Sequence, residues 1–192
     1  MMRGSPVVRF VASVLVWLPL AFVVWYFAAP LLLWPVKLAV EAVALLGFGD
    51  LVRAVEQHGA VVTFATTLKP GEARVAGGVI AVDVNLLLYS FGLPLYAALV
   101  AAAREPGWPR RLLLGFAAMV PFIVWGVVAD FLKHVAITSG PLVASQTGFV
   151  AWQRELIAFA FQFGSLILPT VVPAIAWVVG HRAFLDRLRR TR

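Results

Sequence analysis

The chain has 192 residues, 62% of them hydrophobic and only 13% charged, well below the roughly one quarter charged of a soluble domain. It has no cysteine, which excludes disulfides, thiolate catalysis, iron–sulfur clusters and thiolate zinc sites together. The net charge of +7 raises nucleic acid as a partner, but the placement of the charges ties them to membrane orientation instead.

The N-terminal stretch Met1–Arg9 resembles the n-region of a signal peptide. The apolar run that follows is longer than an h-region of about 7–15 residues, and Pro30 directly follows the small residues Ala28 and Ala29. This run is therefore read as a retained first span, Phe10–Ala29. Trp25, Tyr26 and Trp34 cluster where an aromatic belt at the outer interface belongs. Leu31–Leu46 stays apolar but carries Lys37 and Glu41, spaced to share one helical face. It reads as a helix along the outer interface, with an extension of the first span as the alternative.

Asp50–Asp83 is the one substantial polar stretch. Strands are expected near Arg53–Gln57, Ala60–Leu68 and Ala73–Val84, with Pro70-Gly71 at the centre of a type II turn. Two strands alone would be marginal, so a third strand or packing on helices is required.

The uncharged run Val84–Ala103 matches the roughly 20 residues that cross a hydrocarbon core. Ala97, Ala98 and Ala101–Ala103 give it a small-residue surface for close helix approach. Arg104–Arg111, with Pro106-Gly107 and Pro109, is a tight turn into a third span, Leu112–Ala129. The helix should continue past Asp130 to His134 and end at Ser139-Gly140-Pro141. The fourth span is Leu156–Gly180, followed by a basic amphipathic tail, His181–Arg192, with Phe184, Leu185 and Leu188 on one face. The expected fold is thus a single membrane domain over residues 1–192. It is an all-α bundle of four transmembrane helices with a small extracytoplasmic β meander between the first and second spans.

Arg3, Arg9, the Arg104–Arg111 loop and the arginines of the tail fall on one side, opposed there only by Glu105 and Asp186. On the other side Lys37, Arg53, Lys69, Arg74, Lys133 and Arg154 are offset by seven acids, among them Asp50, Asp83 and Glu155. Both termini are expected in the cytoplasm.

Polar groups at membrane depth are costly and so are candidates for function. Gln162 is the deepest, about two turns into the last span, and is expected to face the bundle interior as interhelical glue or a substrate contact. Asn85, Tyr89 and Ser90 cluster at the top of the second span, where they either satisfy backbone groups or bind a partner. Arg154 and Glu155 sit at the mouth of the last span, paired with outer-loop charges or open to a partner. Asp130 and His134, spaced four apart, have the form of a carboxylate-oriented general base, which also needs a nucleophile, with Ser139 or Ser145 near in sequence. A helix end is the plainer reading of that pair. His58, His134 and His181 are scattered, so no metal site or other cofactor is expected. The prolines Pro19, Pro94, Pro121, Pro169 and Pro173 read as accommodated kinks rather than transporter hinges.

Four stretches together carry a resemblance: Trp17–Pro30, Asp83–Leu99, Trp125–Lys133 and Arg154–Trp177. In this order and spacing the chain resembles the exosortase H-associated membrane proteins, small bacterial inner-membrane proteins encoded beside an exosortase. The resemblance implies a non-enzymatic accessory role in C-terminal protein sorting, with an exosortase or its tagged substrates as partner. Exosortases cleave with cysteine, arginine and histidine, and this chain has no cysteine. The resemblance supplies no catalytic residues. Two other classes stand beside it: a membrane enzyme built on Asp130, His134 and Arg154, and a small oligomeric transporter subunit.

Overall fold

The computed structural model describes residues 6–70 and 79–190, with residues 188–190 described by backbone alone. The expected Pro70-Gly71 turn, the Ala73–Gly78 part of the third strand and the Leu188 side chain lie outside the described residues.

The first helix, α1, runs over Pro6–Leu32 and carries Pro19 and Pro30 without interruption. It joins α2, Trp34–Phe48, through the fully buried Leu33. Backbone bonds from Leu33 N–H to Ala29 O and from Lys37 N–H to Leu33 O hold the ladder across that joint. Lys37 and Glu41 pair at 2.7 Å, as their spacing requires. Val36, Val40 and Ala44 form the buried stripe of α2, which packs on the first strand and on α5, Trp108–Lys133. Trp25 turns inward and is 9% exposed, whereas Tyr26 and Trp34 face outward. The expected aromatic belt therefore loses one member to the core.

The polar segment forms a three-stranded antiparallel sheet in chain order: β1 Val52–His58, β2 Val61–Thr66 and β3 Ala81–Asn85. Strand alternation puts Val62, Phe64 and Thr66 on the buried face of β2. Phe64 stacks on Phe131 of α5 with ring centroids 4.4 Å apart, which seats the sheet on the helices. On the open face the Thr63 hydroxyl donates to Asp83 across the β2–β3 pair at 2.6 Å.

β3 takes Val84 and Asn85, which the expected second span had claimed. Helix begins only at Leu87, as α3 Leu87–Ser90 and α4 Gly92–Ala103. At ~1.5 Å rise per residue that run is about 25 Å long, against ~30 Å for a hydrocarbon core. α5 continues as a π-helical turn, His134–Thr138, and ends at Gly140, whose φ of 90° needs glycine. After α6, Pro141–Gln146, the chain forms α7 Ala151–Gln162, a π turn Phe163–Ile167, α8 Leu168–Gly180 and α9 Arg182–Arg190. Among the described residues three continuous runs are long and apolar enough to cross a membrane: Pro6–Leu32, Trp108–Thr138 and Ala151–Gly180. Leu87–Ala103 is apolar but shorter, so of the four expected spans three have membrane length, and the expected start of the second at Val84 is corrected to Leu87.

Glycines set the closest helix approaches. Gly92 of α4 lies against the Pro169 carbonyl and the Pro173 ring of α8. Gly126 of α5 is enclosed by the Tyr89 ring on one side and Gly164 of the π turn on the other. The start of α1, the Arg104 loop and the end of α8 gather at one end of the bundle. There Phe10 stacks on Trp177 at 5.4 Å and tilts against Phe184 at 5.2 Å. The sheet occupies the other end.

Candidate functional site

The sheet becomes helix at Asn85. Its side-chain oxygen accepts the Leu87 N–H at 3.0 Å, and the Ser90 hydroxyl donates to the Leu86 carbonyl at 2.9 Å. Both residues satisfy backbone at the junction, one of the two roles expected for them. Tyr89 is buried, with its ring packed against Gly126. The Asp130 carboxylate is 8% exposed and lies 3.0 Å from Lys133 Nζ and 3.2 Å from His134 Nδ1. His134 Nδ1 is also 2.9 Å from the Asp130 carbonyl. Lys133 Nζ stands 3.7 Å over the Phe161 ring, joining α5 to α7. The Trp125 indole donates to the Ala160 carbonyl at 3.1 Å across the same pair of helices. Of the two candidate serines, Ser145 donates its hydroxyl to the Leu142 carbonyl.

Removing Asp130 strands the Lys133 ammonium at the bundle end. Asp130→Ala should cost about 1–3 kcal/mol, below the value for a fully buried pair because Lys133 and His134 keep some solvent contact. The thermal midpoint of the purified protein should fall by several degrees, and adding Lys133→Met should recover most of it. An unchanged midpoint in Asp130→Ala would show that the pair does not hold the bundle.

Gln162 departs from expectation. It is exposed, and its side chain has no hydrogen-bond partner among the described residues. The inward face of this run is fixed by Ile157, Gly164, Leu168, Pro173 and Trp177. Gly164 can approach Gly126 because it has no Cβ; one added there would stand 2.9 Å from the Gly126 Cα. At ~100° per residue, Gln162 then falls about 200° away from Gly164 and points out of the bundle. The π turn begins at the next residue, Phe163; such turns are frequent at functional sites. Trp152, Leu156, Phe159 and Leu166 are exposed along the same stripe. At the sheet end of α7, Glu155 is exposed, and the Arg154 Nε is buried without a hydrogen bond. Among the described residues neither makes an ion pair. Both line a cavity of about 380 Å³ with Ala136, Ile137, Pro141 and Ala144.

The opposite end holds a cluster that sequence reasoning passed over. Glu105 is 7% exposed, and its two carboxylate oxygens are held separately by Arg111 and by Arg187 of α9. Arg111 also donates to the Gly180 carbonyl at 3.4 Å, and its own carbonyl accepts the Tyr96 hydroxyl at 2.9 Å. His181 is buried and stacks on Trp177 at 5.3 Å; burial holds its imidazole below the usual pKa. The available signal was a lone acid in the arginine-rich loop. Among the described residues no three histidine or acidic side chains gather as a metal site.

These features define a small, mostly helical membrane protein with a three-stranded sheet seated on one end of its bundle. The family model of the exosortase H-associated membrane proteins matches residues 4–184, and the chain belongs to that family. No curated protein and no solved structure matches the chain.

Proposed function

We propose that the chain is a non-enzymatic accessory subunit of an exosortase-type sorting system, and that it seats a membrane helix of the exosortase on the outward face of α7 and α8. The carrying observation is Gln162, an amide without a hydrogen bond on the outward face of a membrane-length helix. Leaving such a group in lipid is costly, and a neighbouring helix that offers a donor or acceptor relieves the cost. Trp152, Leu156, Phe159 and Leu166 supply apolar contact along the stripe, and Arg154 with Glu155 gives it a polar end. The family's name supports an exosortase as the partner.

The matching topology has four crossings, with Leu87–Ala103 as a short one, both termini in the cytoplasm and the sheet outside a bacterial inner membrane. Clustering of Arg9, Arg104, Arg110 and Arg111 with the tail at one end of the bundle supports this orientation. The Asp130, Lys133 and His134 cluster reads as structural, since the Asp130 carboxylate pairs with Lys133 and Lys133 is braced on Phe161.

The test is affinity purification from native membranes in mild detergent, comparing Gln162→Leu with the unaltered protein. An interhelical hydrogen bond of ~0.6–1.7 kcal/mol predicts that exosortase recovery falls about three- to twentyfold. Recovery equal to that of the unaltered protein contradicts docking at this face. Recovery of uncleaved sorting substrates in place of the enzyme moves the role to the substrate helix.

A further inference from the structure

Beside the Glu105 cluster two cavities meet at Arg104. The first, of about 460 Å³, lies between the start of α1 and the end of α4 and is lined by Pro6, Arg9, Phe10, Ser13, Arg104 and Phe184. The second, of about 670 Å³, runs along α1 to Trp17 and is walled by Val100, Ala101, Pro106 and Trp108, with Glu105 at its edge. Arg9 and Arg104 are exposed, and neither makes an ion pair or hydrogen bond through its side chain among the described residues. By contrast, Arg111 and Arg187 are both engaged by Glu105. The Ser13 hydroxyl is buried without a hydrogen-bond partner. Arg104 is the one non-glycine residue with positive φ among those described, at 50°; this turn lets the chain leave α4 with the guanidinium beside both cavities.

We infer that this is a binding site for one anionic phospholipid, with its phosphate between Arg9 and Arg104 and an acyl chain in the groove toward Trp17. The depths agree. Ser13 lies one turn beyond Arg9 along α1, about 6 Å deeper, where the glycerol oxygens of a lipid follow its phosphate. Trp17 lies a further turn on, at the start of the chain region. Two unopposed guanidinium groups favour a headgroup with net negative charge and disfavour one that adds an amine beside the phosphate. The grooved apolar wall distinguishes a lipid from free phosphate, which needs no second cavity. The inference is independent of which protein docks on α7 and α8.

Native mass spectrometry of the full chain in detergent tests it, with phosphatidylglycerol, phosphatidylcholine of the same acyl chains, and glycerol 3-phosphate as probes. Phosphatidylglycerol is expected to bind as a single retained adduct and phosphatidylcholine much more weakly. Arg9→Gln and Arg104→Gln should each weaken the adduct about fivefold and act together, while Arg182→Gln on the exposed tail should leave it unchanged. Equal binding of the two lipids, or unaltered binding by both variants, overturns the site. Displacement of the lipid by glycerol 3-phosphate at equal concentration overturns the acyl groove and leaves a phosphate site alone. Arg9 is exposed on the first turns of α1, so its variant reports on the site even where Arg104→Gln perturbs the loop.

Discussion

Gly92→Ala is expected to lower the thermal midpoint of the purified protein by several degrees, and Gly47→Ala to hold it or raise it slightly, alanine being the better helix former. The chemical change is the same, one methyl group on a helical glycine, so the contrast isolates packing. At Gly92 the new Cβ would sit well inside contact distance of the Pro169 carbonyl and the Pro173 ring. The carbonyl is backbone and cannot turn aside, and the ring is fixed within α8. One of the helices must move, and overpacking of this kind costs about 1–3 kcal/mol. In a chain of this length each kcal/mol corresponds to a shift of about 2–4 °C. At Gly47 of α2 nothing lies within 4 Å of the added atom. The shift also bears on the proposed docking face, because α4 holds α8 just after the π turn that follows Gln162. Equal midpoints for the two variants would show that α4 and α8 do not approach as described.

Glu105→Gln is expected to release the C-terminal helix. The carboxylate is nearly buried and joins Arg111 of α5 to Arg187 of α9. The amide keeps the shape but loses the charge both guanidinium groups require. Removing one member of a buried ion cluster costs about 3–5 kcal/mol; Arg187 is 66% exposed, so solvent recovers part of this and the net loss is closer to 1–3 kcal/mol. Trypsin should then cut at Arg182 and Arg187 at least fivefold faster than in the unaltered protein. Asp186→Asn provides the control, since Asp186 is exposed on the same helix. Cleavage at the same rate in Glu105→Gln and Asp186→Asn would show that the cluster does not hold the tail.

Residues whose role depends on local pattern were legible in the sequence. The i,i+4 pair of Lys37 and Glu41, the stop at Gly140, the alternating strands and the apolar runs all came from neighbours within a turn or a hairpin. What needed the packed bundle was not legible. Hydropathy does not mark the boundary between Val84 and Leu87, because the uncharged run from Val84 to Ala103 crosses it without a break; the sheet pairing of Val84 and Asn85 with β2 decides it. The rule that polar groups avoid lipid points Gln162 inward. Its direction is set by Gly164, which meets Gly126 on the inner face and rotates the amide outward. Trp25 was placed in a belt by its neighbours, although its own ring turns into the core. Glu105 was counted as a minor offset to the arginines, and only the meeting of the loop with α9 makes it their shared anchor.

The central claim is that the outward face of α7 and α8 receives a helix of an exosortase. Site-specific photo-crosslinking in native membranes tests it most directly, with the probe placed singly at Gln162, at Leu166 and at Val24 on the outward face of α1. A covalent adduct with the exosortase is expected from positions 162 and 166 and none from 24. Lipid adducts alone at 162 and 166, or an exosortase adduct confined to position 24, would contradict it.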